Sequence, residues 1–121
     1  MTTSLTESPL APDYDRSSMT TGIVHIGVGG FHRAHEAAYL DRLMRRRAGS
    51  ASPEGSCLDW GICGVGLLPG DARMRDALEG QDHLYTLILK HPGGLRDPVV
   101  IGSIHDYLFA PDTPETVLTL M

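Results

Sequence analysis

Residues Gly22 to Arg47 read GIVHIGVGGFHRAHEAAYLDRLMRRR: a short apolar run, a cluster of glycines, then a long helical pattern. Ile23, Val24 and Ile26 are β-branched and lead directly into Gly27, Gly29 and Gly30. That order suits a buried parallel strand entering a tight turn. Beyond the turn, Ala34, Ala37, Leu40 and Met44 fall on one helical face, with His35, Arg42 and Arg46 opposite. Arg45, Arg46 and Arg47 followed by Gly49 supply a cationic last turn and a left-handed cap.

Strand, glycine turn and helix in this order make an anion site. A side chain at Gly27 would obstruct the turn, and one at Gly29 would hold a pyrophosphate away from the backbone N–H groups of the helix start. The window Gly27-Val28-Gly29-Gly30-Phe31-His32 departs from the usual dinucleotide fingerprint, because His32 stands where its last glycine is expected. Ala34, Ala37 and Ala38 can share that glycine's task of close helix–strand packing. Arg33, in the first helical turn, can reach a pyrophosphate oxygen, and Phe31 reads as a packing residue.

Leu58 to Leu68 (LDWGICGVGLL) is a second apolar run and reads as a second buried strand. Its Gly64-Val65-Gly66 is a rival phosphate turn. It loses because Pro69 and Gly70 delay the next helix to about Asp71, too late to aim at a phosphate beside Gly66. Asp71 is the nearest carboxylate after that strand, and the end of the second strand of a dinucleotide-binding unit is where an acid meets the adenosine ribose of NAD. The competing reading is a helix N-cap, and both can hold together. Its distance from the glycines exceeds the usual spacing of about 20 residues.

DARMRDALE (Asp71–Glu79) predicts a helix ended by Gly80. Leu84–Lys90 and Val99–Ile104 predict an antiparallel hairpin around the turn-rich His91–Pro98, with a connection over Asp106–Pro111 and a final helix from Pro114. Met1 to Thr21 is rich in Ser, Thr and Pro and reads as a disordered leader, and Ala48 to Ser56 as a flexible connection. The expected class is α/β: an incomplete Rossmann-type parallel sheet over residues 22–121, with an antiparallel hairpin.

At 121 residues and net charge −5, the chain is one domain at most and lacks the basic surface of a nucleic-acid binder. The arginine run is explained by the helix dipole. The sequence has no membrane span or signal segment, which predicts a cytoplasmic protein. Cys57 and Cys63 lack zinc spacing and read as buried free thiols. His32 and His35 without a third ligand make a poor metal site, so no metal is expected. Lys90, the only lysine, stands before a turn with nothing nearby to depress its pKa, so no catalytic residue is assigned.

GVGGFHRAH followed by a tyrosine and an Asp-Arg pair, with WGICGVGL, GQDHLYTL and IGSIHDYLFAPDTPE downstream, resembles the mannitol dehydrogenase family of long-chain polyol dehydrogenases and hexuronate reductases. The resemblance covers Gly22 to Met121 nearly throughout. It implies the N-terminal part of a Rossmann dinucleotide-binding domain, with NAD as cofactor and a polyol or hexuronate as substrate. It also implies independence of metals and an acid/base lysine in a later catalytic domain that this chain lacks. Gly27, Val28, Gly29, Gly30, Phe31, His32, Arg33 and Asp71 are the candidate cofactor-binding residues. The alternative is a non-catalytic remnant that at most binds nucleotide.

Overall fold

The structure is a computed structural model that describes residues 10–49 and 53–121. Its centre is strand β2 (Gly61–Gly66), buried along its whole length. β1 (Thr21–Ile26) pairs with it in parallel on one side, and β5 (Ile104–Phe109) in parallel on the other, giving the sheet order β1-β2-β5. Antiparallel β3 (Tyr85–Lys90) and β4 (Arg96–Ile101) form the expected hairpin.

β5 differs from the sequence reading, which ran one strand through Val99–Ile104 and left Asp106–Pro111 as a connection. The chain instead breaks at Gly102-Ser103 and re-enters the parallel sheet. His105 and Asp106 interrupt the apolar run, yet Ile104, Tyr107 and Phe109 are buried. Gly102 allows the break by close approach: a Cβ there would lie 2.9 Å from the Pro12 ring and 3.0 Å from Arg16.

The predicted long helix is two pieces, α1 (Gly30–Ala34) and α2 (Glu36–Arg46), separated at His35 with φ −120° and ψ −83°. Its faces are as expected, with Ala37, Ala38 and Met44 buried and Arg42 and Arg46 exposed. The cap itself is Arg47, and Gly49, expected as the left-handed cap, takes φ +88° two residues beyond it. α3 (Pro53–Ser56) is a single turn within the connection read as flexible, of which residues 50–52 lie outside the described ones. α4 (Ala72–Glu79) and α5 (Pro114–Leu120) follow as predicted.

Ala37, Ala38, Ile62, Leu78, Ile101, Ile104 and Tyr107 build the main core, against which the hairpin lays Tyr85, Leu87 and Val99. A second cluster joins Tyr14, Met19, Met44 and Leu58.

This second cluster corrects the reading of residues 10–20 as disordered; residues 1–9 lie outside the described ones. Tyr14 and Met19 are each 7% exposed. Tyr14 donates its hydroxyl to buried Asp41, which also accepts from the Gly102 amide (3.0 Å) and from Arg45 Nε (2.7 Å). Arg45 further donates to the carbonyls of Ala11 and Val100. It therefore belongs to a buried clamp, beyond the dipole role read from the arginine run. A buried carboxylate is tolerated only with such partners. The clamp ties leader, α2 and the β4–β5 break together.

Candidate functional site

Loops at the carboxyl ends of parallel strands form the crevice in which open α/β sheets bind ligands. At the end of β1, the Gly27 amide donates to the Val65 carbonyl at 2.7 Å, extending the ladder by one bond. Its φ of +88° then turns the chain out of the sheet, a conformation that glycine adopts without strain. Val28 follows and is buried.

Val28 explains the second glycine pair. A Cβ on Gly64 would stand 2.5 Å from Val28 Cγ2, and one on Gly66 would meet the Tyr107 hydroxyl at 2.3 Å and Asp71 Cβ at 2.7 Å. Gly64 and Gly66 therefore make room for protein atoms, and the rival turn is a packing feature.

Gly29 and Gly30 behave differently. A Cβ at either would touch nothing within 4 Å, so packing within the chain does not require glycine there. The first intrahelical bond runs from the Arg33 amide to the Gly29 carbonyl at 3.0 Å. The amides of Gly29, Gly30, Phe31 and His32 have no acceptor among the described residues. Open space at both Cβ positions, beside amides with no acceptor among the described residues, suits a diphosphate.

The flanking side chains divide. Phe31 is exposed and stacks on His35, their ring centroids 4.2 Å apart, so it is not the packing residue expected. Arg33 lies half-buried, its Nε 3.3 Å from the Gly29 carbonyl, and its own carbonyl accepts from the Tyr85 hydroxyl at 2.5 Å.

His32 is buried and lies face to face with His25, centroids 3.7 Å apart. His25 donates from Nδ1 to the Gly27 carbonyl at 2.7 Å. Neither nitrogen of His32 makes a hydrogen bond among the described residues, although Nδ1 stands 3.4 Å from Glu36 Oε1. Burial pulls the His32 pKa below the ordinary histidine value, the neighbouring His25 lowers it further, and Glu36 opposes both.

His35, bonded through Nδ1 to the Phe31 carbonyl, is not among the three residues that gather at this point. His25, His32 and Glu36 instead bring ligand atoms within 4.8 Å. Imidazole lone pairs lie in the ring plane, and two nearly parallel rings do not aim theirs at one ion.

A cavity of about 530 Å³ reaches the helix after the turn through Arg33 and is lined also by Gly70, Asp71, Arg73, Met74 and Tyr85. It brings two of the predicted residues, Arg33 and Asp71, together. Asp71 makes no side-chain cap for α4. Its Oδ2 accepts from the amides of Leu67 and Leu68, both at 3.1 Å, which locks the turn after β2 and fixes the carboxylate at the cavity wall. Arg73 and Tyr85 were missed in the sequence. Arg73 was reachable from its place two residues after Asp71, whereas Tyr85 arrives from the hairpin, which no local pattern connects to the turn.

Cys63 is buried in β2, and burial followed by nearby Asp106 pushes its thiol up to about 12, so it is inert. Cys57 is half-buried, and both thiols are free. Lys90 is exposed at the end of β3. No helix among the described residues is long and apolar enough to cross a membrane.

The family model described as the mannitol dehydrogenase Rossmann domain matches residues 21–121. The chain belongs to the mannitol dehydrogenase family. Mannitol 2-dehydrogenases of Pyricularia oryzae and Aspergillus fumigatus are 51% identical over 110 residues and 53% over 111, each alignment covering 91% of this chain and 20% of the relative. Among solved structures, the Pseudomonas fluorescens mannitol 2-dehydrogenase ternary complex with NAD and D-mannitol superposes with TM-score 0.80 at 44% identity, covering 92% of this chain and 21% of that one. A D-sorbitol dehydrogenase in substrate-free form gives TM-score 0.78 at 38% identity, covering 91% and 21%. The chain thus spans about a fifth of the length of the relatives it matches.

Proposed function

We propose that residues 22–121 are the N-terminal part of the NAD-binding domain of a polyol dehydrogenase, which oxidises a sugar alcohol such as mannitol to a ketose. The carrying observation is the open turn at Gly29 and Gly30, with four amides that have no acceptor among the described residues, followed by Arg33, which shares a cavity with Asp71. The Pseudomonas fluorescens neighbour, a complex with NAD and D-mannitol, supports the same choice of cofactor and substrate class.

Gly27 and Val28 shape the turn. The amides of Gly29, Gly30, Phe31 and His32 receive the diphosphate, Arg33 adds a guanidinium, and Asp71 accepts hydrogen bonds from the adenosine ribose hydroxyls through its unengaged Oδ1. NAD, when bound, supplies the hydride acceptor. This chain's own residues bind and orient; the acid/base group and the polyol or hexuronate contacts belong to a catalytic domain outside it. A binder without catalysis is the second reading, favoured by the exposed position of Lys90 at the end of β3. Both place the protein in the cytoplasm, free of membrane and nucleic acid.

The test is titration with NADH, followed by its fluorescence. Gly29→Asp puts a carboxylate against the diphosphate and is expected to abolish binding. A titration unchanged by that substitution would remove the turn from the site.

A further inference from the structure

His32 is a buried titratable side chain with its hydrogen-bonding capacity unmet. Its imidazole is 4% exposed, and neither ring nitrogen makes a hydrogen bond among the described residues. The groups that act on its charge come from two elements: His25 of β1, stacked on it at 3.7 Å, and Glu36 of α2, with Oε1 3.4 Å from Nδ1. The stacked rings cannot hydrogen-bond to each other, because the lone pairs and N–H groups of an imidazole lie in the ring plane. The Nδ1 of His25 is in any case engaged by the Gly27 carbonyl at 2.7 Å. Arg33, the next residue of α1, turns to the Gly29 carbonyl at 3.3 Å.

A buried polar atom left without a partner in a native fold calls for a reason. The neutral ring leaves a donor and an acceptor unmet, whereas an imidazolium would have only Glu36, itself 49% exposed, to balance it. Burial and His25 therefore keep the ring of the free chain neutral. A diphosphate changes that balance, because the amide of His32 is one of the four without acceptors and its ring lies within a residue's length of the bound anion. Resting on the nucleotide-binding reading above, we propose that dinucleotide binding at this turn is coupled to the uptake of a proton by His32, the imidazolium being compensated by the diphosphate together with Glu36.

The coupling has a fixed sign. An anion beside the ring favours its charged form, so the dinucleotide binds more tightly as pH falls from about 8 to about 5.5, through the ordinary histidine range. One charge pair this close, at an effective dielectric of about 20, corresponds to about tenfold in affinity. NADH titrations of the 121-residue chain followed by fluorescence at those two pH values measure the gain. Calorimetry at about pH 6.5 in two buffers of different ionisation enthalpy counts the proton, of which about half or more should be taken up. The diphosphate of NADH stays ionised throughout and adds no titration of its own. His32→Gln is expected to bind NADH equally at both pH values and to take up no proton. His25→Gln, which removes a neighbour opposing the charge, should move the rise in affinity to higher pH, and Glu36→Gln should move it to lower pH. A purely structural role for His32 gives no such opposed shifts. The ring nitrogens of His32, followed by NMR in the unsubstituted chain with and without NADH, report its protonation without any variant.

The proposal is overturned if NADH affinity is the same at both pH values, if proton uptake persists in His32→Gln, or if the His32 ring stays neutral in the NADH complex at about pH 5.5. If NADH binds the unsubstituted chain at neither pH, the nucleotide site itself is refuted, and the coupling falls with it.

Discussion

Gly64→Ala probes the contact that couples the sheet to the turn. The added methyl would stand 2.5 Å from Val28 Cγ2 and 3.1 Å from the Tyr107 ring, against a carbon–carbon optimum of about 3.5–4.0 Å. Val28 and Tyr107 are 6% and 5% exposed, so neither can swing into solvent. Overpacking of this kind costs about 1–3 kcal/mol, and the double contact puts Gly64→Ala near about 2–3 kcal/mol. Val28→Ala alone removes buried methyl groups and costs about 2 kcal/mol.

Independent effects would sum to about 4–5 kcal/mol. The double variant is expected to lose only about 2 kcal/mol, because the methyl at position 64 occupies space that Val28 vacates. Urea denaturation followed by Trp60, the single tryptophan, measures all four chains. In thermal melts each kcal/mol corresponds to roughly 4 °C for a domain of this size. NADH affinity should follow the same pattern, falling in Gly64→Ala as Val28 is pushed outward and recovering in the double variant. Additive losses, or a Gly64→Ala chain as stable as the parent, would refute the packing account of the second glycine pair.

Removing the Asp41 carboxylate (Asp41→Ala) strands the Tyr14 hydroxyl, the Gly102 amide and Arg45 Nε, and is expected to cost about 3 kcal/mol, read as a lowered urea midpoint. A change under about 0.5 kcal/mol would exclude the clamp as a source of stability. Burial lowers the pKa values of His32 and His105 below 6.5 in the folded chain. The unfolded chain therefore takes up protons that the folded one refuses, so this stability is full above pH 6.5 and is lost as pH falls through that value toward the folded pKa values. The urea midpoint should be lower at about pH 5.5 than at about pH 7.5, and His32→Gln with His105→Gln should flatten the difference. An undiminished difference in that variant would assign the pH dependence to other groups.

The parts of the fold legible in the sequence were those with short-range patterns. The β1–turn–α1 order, the α2 faces, the hairpin and β2 each carry a local periodicity or a turn residue. β5 was not legible, because its two polar residues break the apolar run and its status as a strand depends on pairing with β2, in register from Gly64 to Tyr107 with α4 and the whole hairpin between them in the chain. The ordered leader was hidden for a similar reason: Tyr14 and Met19 look isolated in a polar stretch, and their partners Asp41, Met44 and Leu58 lie far along the chain. At the site, the glycine turn and Asp71 were visible as types at spacings. The direction of the Asp71 bonds, back to Leu67 and Leu68 rather than forward into α4, depends on the turn at Pro69–Asp71 and could be learned only from the fold. His25 beside His32 likewise requires the chain to reverse at Gly27.

The most direct measurement of the central claim is an amide-resolved NMR titration of the 121-residue chain with NADH. The four amides without acceptors among the described residues, Gly29 to His32, should shift together and saturably, along with Gly70, Asp71 and Arg73 at the cavity wall. Saturable shifts confined to other surfaces, or none at these amides, would contradict a diphosphate held by this turn.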